Sequence, residues 1–199
     1  MILGTHNSAT GGRLLWWLRP LAWIINPTSK CQNKTIKQQL EDGVRLFNLQ
    51  VAYINKKWRF SHGLALYEED VFEAIGLIMN SATEEDPVYF QLYLDKSVWC
   101  RQNAEEFKWL VCLMRNLYCG PWCCMLPPLI EGTNTRFTGT PGYENLQHEE
   151  HYWTMSWAKN NAKVWLDTIP LPLRHAKKHN AKYKAECKKP YLMLDFYEL

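Results

Sequence analysis

The chain has 199 residues, enough for one domain with a substantial core, and its 47% hydrophobic and 22% charged residues are typical of a globular protein. Its formal net charge of +3 is too small to indicate nucleic-acid binding. The seven cysteines lack the spacing of a disulfide framework or of a structural zinc site, so we expect mostly reduced thiols. No secretory leader precedes the first motif, which predicts synthesis in the cytosol and leaves a virus-encoded or peripheral membrane role open.

Strand and helix patterns alternate along the chain. Strands are predicted at 2–6, 44–51, 57–61, 88–94 and 191–197. Helices are predicted at 14–25 (one or two short helices), 35–42, 68–80, 104–118, near 148–160 and at 174–187. The Pro- and Gly-containing stretch 120–147 is predicted to be the longest loop. This alternation is typical of a mostly parallel sheet or barrel.

Two histidines stand at the ends of predicted strands. His6 follows the apolar segment 2–5, and His62 ends the segment 58–62. Between them, segment 44–51 carries polar residues at alternate positions, as expected of a strand with one polar face. Because imidazole exchanges protons near neutral pH, two such histidines on neighbouring strands predict an acid–base pair.

Three motifs in this region occur in a recognisable order: Gly-Thr-His-Asn-Ser, then Gly-Val-Arg-Leu-Phe-Asn-Leu-Gln, then Ser-His-Gly. Together they resemble the X-region signature of phosphatidylinositol-specific phospholipase C. The resemblance covers residues 2–63 and extends more weakly to 89–96 and 191–197. It implies a single α/β domain over 1–199, folded as a compact TIM-type (β/α) barrel. With fewer than the roughly 250 residues of a full barrel, we expect a distorted or open one.

The resemblance also implies a reaction. His6 would be the general base that takes a proton from a substrate hydroxyl, and His62 the general acid that protonates the leaving oxygen, with a cyclic phosphate as product. Asp195, on the last strand, would orient His6 and stabilise its imidazolium. The implied substrate is a phosphoinositide or a related lipid headgroup.

Metal-dependent members of the family bind Ca²⁺ through carboxylates that match Asn48 and Gln50, together with groups that match Asn7 and Asp95. Here positions 48 and 50 are neutral amides, so only Asn7 and Asp95 fit the metal version. Since Ca²⁺ affinity rises with ligand charge, we expect either no required cofactor or a weak Ca²⁺ site.

Bacterial members instead place an Arg at the position of Gln50. In its absence, we expect Lys96 or Arg45 to supply the positive charge, alongside Asn7, Asn48 and Gln50 as phosphate-binding residues.

Two other functions stay open from the sequence. One is a metal-assisted phosphodiesterase acting on glycerophosphodiesters, and the other is a catalytically silent module that binds lipid or phosphate. In each case the partner would be a phospholipid or a small phosphodiester, with no nucleic acid expected.

The apolar run 14–25 contains three tryptophans, Trp16, Trp17 and Trp23, but it is too short to span a bilayer. Bacterial phospholipases of this type carry an interfacial Trp in a similar place. These side chains would therefore either contact the headgroup boundary of a membrane or pack against the barrel.

Overall fold

The computed structural model describes residues 2–95, 103–118, 122–130, 172–187 and 191–199. Its strands are β1 (Ile2–Thr5), β2 (Leu46–Ile54), β3 (Lys57–His62), β4 (Ala65–Leu66), β5 (Val88–Leu94), β6 (Cys123–Ile130) and β7 (Tyr191–Leu194). Its α-helices are α1 (Ala22–Ser29), α2 (Ile36–Glu41), α3 (Val71–Asn80), α4 (Ala104–Tyr118) and α5 (Pro172–Glu186). Two short 3₁₀ helices, Ser8–Gly11 and Trp16–Leu21, lie between β1 and α1.

Five strands of one sheet run parallel in the order β7-β1-β2-β5-β6. The first and last strands of the chain are neighbours, with Gly4 opposite Met193. Beyond the short contact with β1, the far end of β2 pairs antiparallel with β3, and β3 pairs with β4. The sheet curls into part of a barrel, so the expected α/β fold with an open or distorted TIM-type barrel is confirmed.

The two faces of the sheet differ because neighbouring residues of a strand point to opposite sides. On the outer face, Phe47, Leu49 and Val51 belong to the main hydrophobic core, together with apolar residues of the helices. The inner face carries a small separate cluster near the amino ends of the parallel strands, which we call the lower layer: Ile2, Leu46, Tyr89, Leu126 and Met193. Further along β2 and β5, and directly after β7, the inner face carries buried polar residues: Asn48, Gln50, Gln91 and Asp195.

Most predicted elements are confirmed, among them the strand over Val88–Leu94 and the helix over Ala104–Tyr118. The prediction of a loop over 120–147 is wrong for Cys123–Ile130, which forms β6. Pro127 and Pro128 suggested a chain break, but the pairing with β5 slips by one residue there, from Gln91↔Leu126 to Tyr93↔Leu129. That irregularity accommodates the two prolines, which cannot donate backbone hydrogen bonds to a regular ladder. The helix predicted near 148–160 lies outside the described residues.

The predicted helical segment 14–25 forms a 3₁₀ helix followed by α1, in agreement with the expectation of two short helices. In the described ranges, no helix combines the length and the apolar character needed to cross a bilayer.

Candidate functional site

His6 and Asp195, which are 189 positions apart in sequence, meet at the carboxyl ends of adjacent strands. His6 Nδ1 lies 2.9 Å from Asp195 Oδ1, and both side chains are about 93% buried in this contact. The pairing of β1 with β7 brings them together, since Thr5 is opposite Leu194. With Nδ1–H donated to the carboxylate, Nε2 is the unprotonated nitrogen of the neutral ring; it can accept a proton and lies 3.2 Å from the Asn7 Nδ2 donor.

His62 approaches from the antiparallel strand β3 and is only partly buried. Its Nδ1 lies 2.7 Å from the backbone carbonyl of Ser29, so this nitrogen carries the donated hydrogen and Nε2 is the exchangeable position. The His6 and His62 rings stand nearly perpendicular, at 83°, with centroids 6.3 Å apart. The two imidazole rings are therefore neighbours at the same end of the sheet.

The residue directly after each of these three side chains has a left-handed backbone. The φ angles are +46° at Asn7, +57° at Gly63 and +45° at Phe196. At each of these residues the backbone leaves the direction of the strand. The turn comes directly after His62, the last residue of β3, and directly after His6 and Asp195, which follow β1 and β7. Glycine and asparagine adopt this conformation at low cost, whereas Phe196 stores about 1 kcal/mol or more of strain, which is common near functional sites.

Cys31 is a site residue that the sequence analysis missed. Its side chain is buried, with Sγ 3.7 Å from His62 Nδ1 and 3.6 Å from Asn7 Nδ2. Burial, together with the nearby Asp195 carboxylate, raises the pKa of the Cys31 thiol well above its ordinary value. The irregular spacing of the seven cysteines gave no sign of this position, because Cys31 reaches the site through the loop that follows α1.

Two buried amide side chains hold the strand ends in place. Gln32 Nε2 donates to the carbonyl oxygens of His6, at 2.9 Å, and Leu194, at 2.8 Å. Asn180 of α5 donates to the carbonyl oxygens of Asp195, at 2.7 Å, and Phe196, at 2.9 Å. Both were missed in the sequence, where a single Gln or Asn carries no spacing signal.

The predicted phosphate-binding amides lie on the inner face of the sheet. Asn48 Oδ1 accepts the backbone N–H of Asn7 at 3.3 Å, and Asn48 Nδ2 donates to Gln91 Oε1 at 3.3 Å. Gln50 Nε2 donates to Asp95 Oδ1 at 2.7 Å. We call these residues, with His6 and Asp195, the upper layer. Most of its neutral donors and acceptors bond to one another or to the two carboxylates, whereas the buried Asn7 Oδ1 has no hydrogen-bond partner among the described residues.

The two candidate cations have different outcomes. Arg45 does not join the site: it precedes β2, at the opposite end of the parallel strands, and its Nε donates to Asp86 at 2.7 Å. Its Nη1 donates to the Leu40 and Val44 carbonyls, so the guanidinium ties α2 and the chain before β2 to the loop before β5. Lys96 lies outside the described residues.

The three tryptophans of the predicted membrane contact lie on the surface. Trp16 is 72% exposed and Trp23 is 76% exposed, while Trp17 is less so. Leu21 and Ile24 are also exposed on the same two short helices. Of the two alternatives for this segment, the tryptophans do not pack inside the fold.

Comparison with known proteins gives structural matches alone. No protein-family model and no curated protein matches the chain in sequence. The solved phosphatidylinositol-specific phospholipase C from Listeria monocytogenes is similar with a TM-score of 0.57 at 14% identity, over 98% of this chain and 87% of that one. A variant of the phosphatidylinositol-specific phospholipase C from Staphylococcus aureus gives a TM-score of 0.56 at 13% identity, over 98% and 85%. At such identity the likeness establishes a shared fold.

Proposed function

We propose that the protein is a phosphodiesterase of the phospholipase C type that cleaves a lipid phosphodiester with two histidines. The observation that carries this proposal is the contact of His6 with Asp195 across 189 positions, with His62 facing His6 at a centroid distance of 6.3 Å. The fold shared with two bacterial phosphatidylinositol-specific phospholipases C supports it.

The reaction begins with His6. Its Nε2 takes the proton from a hydroxyl next to the phosphodiester, and the resulting alkoxide attacks phosphorus. The bond from phosphorus to the leaving oxygen breaks, and Nε2–H of protonated His62 gives that oxygen its proton. A cyclic phosphate and a free alcohol, diacylglycerol for a phosphoinositide substrate, leave the site. Asp195 stabilises the imidazolium that forms at His6, as expected of a carboxylate that orients a base.

The phosphoryl oxygens would be bound by neutral groups. Asn48, Gln50 and Asn7 supply amides near the histidines, and protonated His62 adds one positive charge. Asp95 is held by Gln50 at 2.7 Å, and a Ca²⁺ ion at Asn7 and Asp95 would have one charged ligand. Such a site would be weak, because Ca²⁺ prefers six to eight oxygens and several charges.

The exposed tryptophans would bring the protein to its substrate. Trp16 and Trp23 present large amphipathic rings on one segment, which suits the headgroup region of a bilayer. We propose that this segment makes a peripheral membrane contact.

Turnover of phosphatidylinositol in vesicles tests the function, with Ca²⁺ or chelator present. His6→Asn and His62→Asn are each expected to lower turnover by about 10³-fold, the usual contribution of a positioned acid or base. His179→Asn is the matched control, because it replaces a histidine that is not part of the proposed pair: His179 lies on α5, where its ring stacks on Tyr183 with centroids 5.7 Å apart. Equal turnover in the wild type and in both site variants would exclude this histidine pair.

The same assay covers the membrane contact. Trp23→Ala should reduce turnover on vesicles but not on a soluble inositol phosphodiester, because it affects binding to the bilayer alone. Trp109→Ala is the control, since Trp109 is also exposed, at 59%, but lies on α4.

A second candidate, a module that binds phosphodiesters without cleaving them, is favoured by the placement of Arg45. With this guanidinium bonded to Asp86, Arg45 is not placed to bind the phosphate, and among the described residues the predicted phosphate-binding side chains at the strand ends are amides. This function predicts that inositol phosphate binds equally well to the wild type and to His62→Asn, with no turnover in either.

A further inference from the structure

Three metal-binding side chains of different chemistry converge at the base histidine. One ligand atom each from His6, Cys31 and Asp195 can be chosen so that all three lie within 4.8 Å of one another, and all three residues are buried. In the described part of the chain, no other group of three or more His, Cys, Asp or Glu side chains comes together in this way. We infer that His6, Cys31 and Asp195 bind a thiophilic divalent cation of the Zn²⁺ class.

The separations fit a tetrahedral ion after small side-chain movements. Zinc bonds of about 2.0–2.3 Å to N, O and S place neighbouring ligand atoms roughly 3.3–3.7 Å apart. The 2.9 Å between His6 Nδ1 and Asp195 Oδ1 must open slightly, and the other separations, none longer than 4.8 Å, must close by at most about 1 Å.

The Asn7 amide lies beside the cluster. Asn7 is 2% exposed, and its Nδ2 lies 3.2 Å from His6 Nε2 and 3.6 Å from Cys31 Sγ. Its Oδ1 is buried and has no hydrogen-bond partner among the described residues. A half-turn of the amide exchanges the two atoms and directs this oxygen towards the cluster. A cation there would supply the partner that the oxygen otherwise lacks.

The donor set selects the type of ion. A thiolate and an imidazole are ligands of Zn²⁺ and similar ions, whereas Ca²⁺ and Mg²⁺ prefer oxygen. The cluster lies beside Asn7, as does the weak Ca²⁺ site considered for Asn7 and Asp95, but its donor chemistry is different. His62, partly exposed and 3.7 Å from Cys31 Sγ, marks the side from which an ion reaches the cluster.

An ion bound here controls the reaction, a consequence that rests on the proposed function. His6 ligated to a metal cannot accept the proton of a substrate hydroxyl, and Asp195 can no longer stabilise its imidazolium. Zn²⁺ would thus inhibit the phosphodiesterase, and a chelator would restore it.

Binding of Co²⁺ alone tests the site without any assay of activity. The wild type should bind one Co²⁺ with a thiolate-to-metal charge-transfer band that Zn²⁺ displaces and Ca²⁺ does not. Cys31→Ser, nearly isosteric, should lose the band, whereas Cys112→Ser should keep it because Cys112 is exposed on α4. Asp195→Asn should weaken Co²⁺ binding by at least about tenfold and serves as the second variant if Cys31→Ser does not fold.

A wild type without the band, or a Cys31→Ser protein that keeps it, would overturn the inference. The metal readout is separate from turnover. If the metal-free protein cleaves no phosphodiester but Cys31-dependent Co²⁺ binding is observed, the proposed function fails and the metal site stands. If turnover occurs and the band is absent, the reverse holds.

Discussion

The lower and upper layers share the inner face of one sheet but consist of opposite kinds of residue. Leu46 and Met193 of the lower layer pack together in a buried apolar cluster. Asn48 and Asp195, two positions further along the same strands, make hydrogen bonds to side chains or backbone of other strands and loops. The polarity of the inner face thus changes within one repeat of the strand, about 7 Å.

This contrast separates stability from chemistry. The lower layer is apolar apart from the Tyr89 hydroxyl, and none of its residues belongs to the candidate site. The upper layer contains buried polar groups, whose desolvation is a cost unless each is bonded, and it carries the two strand-end residues His6 and Asp195. Burial of the lower layer contributes hydrophobic stabilisation directly below the polar groups of the upper layer, which contribute little of it.

The largest effects are expected from the two histidines that meet at the upper layer. With a nitrophenyl inositol phosphodiester, the leaving nitrophenolate needs no proton, so His62→Asn should lower turnover less than about 10-fold. On phosphatidylinositol the same variant should lose about 10³-fold. His6→Asn should lose turnover on both substrates, because the attacking hydroxyl must be deprotonated in either case.

The measurement is kcat/KM for both substrates with both variants. A His62→Asn protein that loses equal activity on the two substrates would contradict the assignment of His62 as the acid. If His6→Asn kept its activity on the nitrophenyl substrate, His6 would be the acid and His62 the base.

Changes in the lower layer should act on stability and leave chemistry intact. Leu46→Ala should lower the free energy of unfolding by about 2–5 kcal/mol, because Leu46 is fully buried. Gly4→Ala should also destabilise, by about 1–3 kcal/mol, since a Cβ there would lie 3.0 Å from three Leu46 side-chain atoms. In the Gly4→Ala/Leu46→Ala double variant, the destabilisation by Gly4→Ala should be smaller, because Leu46→Ala removes two of those three atoms, Cγ and Cδ2.

Urea unfolding measures each variant, and turnover per folded molecule is the companion measurement. Additive costs in the double variant would mean that Gly4 and Leu46 do not share this space. A large loss of turnover in folded Leu46→Ala would show that the two layers are not separable.

Much of this arrangement could be predicted from the sequence because it follows strand periodicity. Alternation along residues 44–51 indicated which side chains share a face, and His6 and His62 stood where strands end. The meeting of His6 with Asp195 could be predicted only through the barrel topology that the resemblance implied.

The remainder depended on contacts that have no local pattern. Cys31 and Gln32 reach the site from a loop whose position is set by the buried hydrogen bonds of Gln32 to two strand ends. Arg45 was placed near the phosphate because of its charge, but its partner Asp86 lies 41 positions away. Strand β6 was missed because Pro127 and Pro128 suggested a loop, and only the irregular pairing with β5 explains them.

The smallest expected effect concerns a buried carboxylate outside both layers. Glu69 lies before α3, near Gly12, and its Oε2 is buried with no hydrogen-bond partner among the described residues. Burial raises the pKa of Glu69 from 4.5 to about 7. Between these values the folded protein binds more protons than the unfolded chain, so stability falls as pH rises through this window and the loss is complete above about pH 7.

Glu69→Gln removes the ionisation and should be more stable than the wild type at pH 8, by roughly 1–3 kcal/mol, with little difference near pH 5. Thermal unfolding of both proteins at the two pH values measures this. Desolvation explains the sign, because Glu69 Oε2 has no hydrogen-bond partner among the described residues to offset the cost of a buried charge. If the stability of the wild type and of Glu69→Gln changed with pH in the same way, the Glu69 carboxylate would be solvated like that of a surface acid, which would contradict this prediction.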